Sequence, residues 1–174
     1  MLNKKHMVLT AVTLGAIAAC SAALIGLANF FTRDAIEKNK EKRFNAGITA
    51  IFGENSEAHE FSDLSELDLL DKAYSVHKDD VTTGWAIVAT GSNMYGKISL
   101  IAGFDYSSKL FVGTYLITNE QTYASTLVEN YVTPLNNDDD FSIDDVSCGA
   151  TYGAKLVRDL INAAQSYVDG IIYD

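Results

Sequence analysis

The residues whose types and spacing could do chemistry lie near the C-terminus: Asp145-Val146-Ser147-Cys148-Gly149-Ala150-Thr151, running directly into Tyr152-Gly153-Ala154-Lys155-Leu156-Val157. Gly149 frees the backbone just before an expected helix, and Ala150 keeps the approach uncrowded. Thr151 puts a hydroxyl where the first unpaired N–H groups of that helix gather. Backbone donors and the positive end of the helix dipole favour an anion there, a phosphate above all, and a threonine hydroxyl can also carry a phosphate covalently. The plainer reading of the same residues is a Thr151 N-cap, since Ser and Thr are common helix caps.

The stretch resembles the FMN-binding domain found in the G subunit of the Rnf complex and in the C subunit of the sodium-pumping NADH:quinone reductase. That family has an Asp, two variable residues, Ser or Thr, and then Gly-Ala-Thr; here the pattern reads Asp145, Val146-Ser147, Cys148, Gly149-Ala150-Thr151. Cys148 departs from it, standing where the family has a hydroxyl, which weakens any hydrogen bond made there. The resemblance implies FMN esterified through its phosphate to Thr151, with Gly149, Ala150, Cys148, Asp145 and Tyr152 as the surrounding cofactor-binding residues. It also implies that Asp145 helps present the motif to a separate, magnesium-dependent flavin transferase that uses FAD. Electron relay through the flavin would be the domain's work, and its partners would be the other membrane subunits of an ion-translocating electron transport complex.

The elements that must position this motif follow from the rest of the chain. Its 174 residues carry a formal charge of −10; Lys4 and Lys5 are the only charged residues before Arg33, so the part from Arg33 onward carries −12. That balance argues against a nucleic-acid partner, because phosphate backbones are held by Lys and Arg. Cys20 and Cys148 do not make a disulfide framework or a zinc site. His6, His59 and His77 sit in contexts that suggest only surface or strand positions, and no Ser/His/Asp or Cys/His arrangement for nucleophilic catalysis stands out.

From Met7 to Thr32 the chain is free of charge. These residues would form about 39 Å of helix, enough to cross a hydrocarbon core of about 30 Å with tilt. Ala16-Ile17-Ala18 offers a signal-peptide cleavage site as one alternative, and Ile17-Ala18-Ala19-Cys20 resembles a lipobox as another. Either cut would leave the apolar Ala22–Phe31 as the new N-terminus, so an uncleaved anchor is the expectation. Lys and Arg flank the span more densely on its C-terminal side (Arg33, Lys38, Lys40, Lys42, Arg43) than on its N-terminal side, which taken alone would put the domain in the cytoplasm. The resemblance implies the opposite: a single-pass protein of the cell membrane with the flavin domain facing outward.

The expected organisation is a cytoplasmic tail and transmembrane anchor over 1–32, a helical stalk over 33–53 and an FMN-binding domain over 54–174. Ile36, Phe44, Ile48, Ile51 and Phe52 have helical spacing, and Gly53 is a natural stop. Asn55–Asp71 reads as a loop plus a short helix. Lys72–His77, Gly84–Thr90, Lys97–Phe104 and Leu110–Thr118 read as a four-strand antiparallel meander, with Ile98, Leu100, Ala102 and Phe104 alternating on one buried face. Met94-Tyr95-Gly96 leading to Gly103-Phe104-Asp105 adds a second, weaker likeness to the same family. Where that family carries Glu-Thr-Pro-Gly-Leu-Gly near the flavin, this chain has Glu120-Gln121-Thr122-Tyr123-Ala124-Ser125. Tyr123 is then either a flavin contact or a core residue of a helix through Leu127 and Tyr131, which Pro134 would break. Asp138, Asp139, Asp140, Asp144 and Asp145 crowd as metal ligands would, but the glycine and terminal glutamate of a calcium loop are missing, so a solvated charge run is expected. Ala154, Val157, Leu160, Ile161, Ala164 and Val168 give the last helix its buried face. Lys155, one turn beyond Thr151, is expected to face solvent, a phosphate on Thr151 being its alternative partner.

The fold class expected is α+β: a transmembrane helix, then one domain with an antiparallel sheet and packed helices, the motif opening the last long helix. The function expected is a membrane-anchored flavoprotein subunit of an Rnf-type complex. A stand-alone extracytoplasmic flavoprotein and a tethered binding module without flavin are the alternatives.

Overall fold

The structure, a computed structural model, describes residues 4–171 of the 174. Its first helix, α1, covers Lys4–Phe52. The chain divides into two compact units, Met1–Lys42 and Arg43–Asp174.

In the first unit α1 presents apolar residues all round: Leu9, Val12, Ile17, Leu24 and Ile25 are each more than half exposed. This is the pattern of a helix whose solvent is lipid. Among the described residues it is the helix long and apolar enough to cross a membrane. A single-pass anchor accounts for it. Ile36, expected on the apolar face of the stalk, is 51% exposed.

The second unit begins with the last turns of α1. Gly53, at φ +92°, ends the helix in the left-handed conformation that glycine adopts without strain, and its N–H bonds back to Thr49 O at 2.9 Å. Five strands follow: β1 (Ser56–Asp63), β2 (Leu70–Lys78), β3 (Val81–Asn93), β4 (Gly96–Asp105) and β5 (Phe111–Asn119). They form one antiparallel meander in the order β1-β2-β3-β4-β5. The four strands expected over 72–118 are present as β2–β5. The first strand is not the loop and helix expected over Asn55–Asp71. Ser56–Asp63 is an edge strand whose apolar residues are only Ala58 and Phe61, so it carries no alternating signal. Leu64 and Leu70 are buried at the ends of the turn that joins β1 to β2.

Both faces of the sheet are covered, not one. On one side Ile48 of α1 packs with Val76, Ala86, Ile101 and Ile117, and Phe44, Ile51 and Phe52 close the layer. The helix lies so near the strands that a Cβ on Gly47 would stand 2.6 Å from Ile101 Cδ1. On the other side α4 (Thr151–Asp169) buries Ala154, Val157, Leu160, Ile161, Ala164 and Val168 against Ile87, Ala89, Ile98, Leu100, Ala102 and Phe104. The alternation in β4 marks this second face, while Ile101 and Gly103 between those residues serve the first.

Between β5 and α4 runs an irregular helical stretch. α2 (Ala124–Leu127) passes into a π-helical turn at Val128–Val132 and then into α3 (Thr133–Asn137). Leu127, Tyr131 and Val132 are buried. Pro134 does not break this stretch. It occupies the first turn of α3, directly after the wider π turn, where its missing N–H is tolerated. The loop 138–150 then returns to α4. The Tyr131 hydroxyl donates to Ile143 O, and Asn130 Nδ2 donates to Cys148 O at 3.1 Å. Burial raises the Tyr131 hydroxyl's pKa far above the ordinary tyrosine value, so it stays a donor.

Candidate functional site: a tyrosine-walled cleft at the head of the last helix

The helix that begins at Thr151 has Ala150 at its cap position (φ −119°, ψ 43°), so Thr151 is the first helical residue and not the N-cap. No side chain caps this end. The first helical bond recorded here is Ala154 N–H to Ala150 O at 3.0 Å, which leaves the N–H groups of the opening turn for another acceptor. The Thr151 hydroxyl has no hydrogen-bond partner among the described residues. Gly149 takes φ +85°, and a Cβ there would be both strained and 3.3 Å from Thr126 Cγ2. Asn130, holding the carbonyl of Cys148, fixes the residue before this turn. The local sequence thus delivers a free hydroxyl and free donors to one point.

That point opens on a cleft of about 240 Å³ lined by Gly149, Ala150, Thr151, Tyr152 and Gly153 from one side and by Tyr95, Gln121 and Tyr123 from the other. Tyr95 and Tyr152 stack with ring centroids 5.2 Å apart, tilted by 37°. Tyr123 is 58% exposed, so of its two readings the core one is overturned: it is a wall of the cleft. Aromatic walls with few polar groups suit a flat heteroaromatic ligand, and the volume falls below the roughly 300–1,000 Å³ of enclosed ligand pockets. A ring held here would keep one edge exposed.

The polar floor is a small network. Asn93 Nδ2 donates to Tyr152 O at 3.0 Å, tying the β3–β4 hairpin to the first turn of α4. Asn93 Oδ1 accepts from Tyr95 N at 2.8 Å and from Gln121 Nε2 at 3.1 Å. Gln121 Nε2 also donates to Gly96 O at 2.6 Å, and the residue is only 7% exposed. Gly96 permits this approach, since a Cβ on it would meet Glu120 O at 2.2 Å.

Of the residues expected from the sequence, Gly149, Ala150, Thr151 and Tyr152 come together on the cleft. Cys148 and Asp145 do not line it. Cys148 is partly buried against the core and forms no part of the cleft wall. Asp145 is exposed, its N–H bonded to Ser142 O. Lys155 is exposed and places Nζ 5.9 Å from the centre of the Tyr152 ring. Asp138, Asp139 and Asp140 are exposed, and Asp144 lies 3.9 Å from Arg158. Among the described residues no group of three or more His, Cys, Asp or Glu could hold a metal ion.

Tyr95, Gln121, Asn93 and Gly153 take part in the site without having been singled out for it. Tyr95 and Gly96 had a weak signal in the Met94-Tyr95-Gly96 turn, whereas Gln121 sits in a loop whose glycines and proline are absent from this chain.

No curated protein matches the chain. Residues 1–51 match the family model described as the RnfG N-terminal region. The N-terminal helix is therefore similar to the N-terminal region of RnfG.

Proposed function

We propose that this chain is a membrane-anchored flavoprotein subunit of an Rnf-type electron transport complex, carrying FMN through a phosphoester on Thr151. The single observation that carries the reading is the unpartnered Thr151 hydroxyl in the uncapped first turn of α4, inside a cleft walled by three tyrosines. The N-terminal likeness to RnfG supports the assembly into a multisubunit membrane complex.

The residues present fit the group. The N–H groups of the opening turn and the helix dipole would hold the phosphate oxygens. Gly149, lacking a side chain, lets the backbone come close. Tyr95, Tyr123 and Tyr152 would flank the ring and exclude water from its faces. Attachment requires that Thr151 Oγ form a bond to the FMN phosphorus of FAD while the P–O–P anhydride bond breaks. AMP leaves, and the hydroxyl proton passes to a base of the transferase. The bound flavin supplies the redox chemistry, accepting and passing electrons. The chain's own part is to tether, orient and partly bury it. On this reading the domain faces outward, where a diffusible cofactor would be lost.

The test is co-expression of the full chain with a flavin transferase, followed by a denaturing gel. Flavin fluorescence should travel with the protein band and vanish in Thr151→Ala. A labelled Thr151→Ala, or an unlabelled wild type, would overturn the assignment.

A further inference from the structure

We propose that Gln121 reads the ring edge of the ligand, its Oε1 accepting the one N–H of an oxidised isoalloxazine, the imide N–H. The inference rests on the flavin reading above. It starts from the orientation of the Gln121 amide, which the hydrogen-bond network fixes without ambiguity. Gly96 O can only accept and lies 2.6 Å from the amide nitrogen. Asn93 Oδ1 is itself identified as oxygen because it accepts the Tyr95 backbone N–H, and it too faces that nitrogen, at 3.1 Å. Both amide hydrogens are therefore committed, and the oxygen is the free end.

That oxygen faces Gly153, where a Cβ would stand 3.4 Å from it, and both residues line the cleft. It accepts no hydrogen bond among the described residues, although Gln121 is 93% buried. A buried residue that holds its nitrogen with two bonds and offers its oxygen to a cavity is a directional acceptor. The cleft's other side chains, three tyrosines and the Thr151 hydroxyl, bring no carboxylate or amide oxygen. A ligand with an N–H on its edge satisfies Gln121; one lacking that donor covers the oxygen and leaves it unpaired.

The experiment is a spectrophotometric pH titration of the imide proton, read in the visible flavin absorption of the labelled full chain. Acceptance of the N–H by Oε1 stabilises the protonated ring, so the ionisation constant should fall about tenfold relative to free FMN. In Gln121→Met, which keeps length and apolar bulk, the constant should return toward that of free FMN. Gln121→Asn, which retains an amide but shortens its reach, should fall between. A wild-type protein whose flavin titrates like free FMN would overturn the proposal, whatever the variants do. So would a Met variant that titrates like the wild type. If Thr151 carries no flavin at all, the flavin reading itself fails and this one with it; a labelled protein with an unshifted proton refutes only the role of Gln121.

Discussion

Replacing Gly153 by Ala separates the packing of the helix head from its function. Alanine is favoured over glycine inside a helix by about 0.8–1 kcal/mol. Against that gain, the new Cβ would stand 3.0 Å from Leu127 Cδ2 and 3.4 Å from Gln121 Oε1, with Leu127 fully buried. Accommodating a methyl in a filled site costs about 1–3 kcal/mol. The Leu127 methyl can give by a few tenths of an ångström, so the lower half of that range applies, and the net loss should be about 0–1 kcal/mol. Trp85, the sole tryptophan and 8% exposed, reports unfolding of this unit by fluorescence. Thermal melts of the full chain in detergent should shift down by no more than a few degrees. The same methyl stands in front of the free oxygen of Gln121, so flavin labelling should slow about tenfold, equivalent to about 1.4 kcal/mol. A variant that is stabilised by the full helical gain and labelled at the wild-type rate would refute the claim that the first turn of α4 is fitted against Leu127 and Gln121.

Other outcomes follow from single contacts. Tyr131→Phe removes the hydroxyl that donates to Ile143 O and strands that carbonyl under a buried ring; urea unfolding should show a loss of about 1–2 kcal/mol at unchanged slope. The Asp105 carboxylate accepts from the N–H groups of Ser107 and Ser108 and from the Ser108 hydroxyl, and these bonds, those of Ser108 foremost, hold its pKa below the ordinary aspartate value of about 3.9. Its contribution is thus fully present above that value and lost as pH falls through the lowered one, so the difference in stability between wild type and Asp105→Asn should shrink below about pH 4. Met94 is 84% exposed beside the cleft. In a chain with Cys20 and Cys148 replaced by serine, Met94→Cys should react with an impermeant thiol reagent on intact cells; protection there, with reaction after lysis, would place the domain in the cytoplasm.

The strands β2–β5 were legible as short runs rich in β-branched and aromatic residues between turn residues, with alternation plain only along β4, and α4 was legible because its buried residues repeat at 3.6 positions. The first strand was not, since an exposed edge needs no apolar period. Pro134 misled for a local reason: the π turn before it lets a helix restart at the proline. At the site, Gly149-Ala150-Thr151 announced the head of a helix. The walls did not announce themselves, because Tyr95, Gln121 and Tyr123 lie 26 or more residues upstream of the motif and are brought to it by sheet register and by the Asn93 bridge. Gln121 has no sequence signal at all; its importance lies in which end of an amide is already bonded.

Mass spectrometry of the peptide containing Thr151, from the full chain co-expressed with a flavin transferase, tests the central claim most directly. The account predicts FMN joined through its phosphate to Thr151, with the neighbouring Ser147 and Thr126 unmodified. An unmodified Thr151, or a flavin on any other residue, would contradict it.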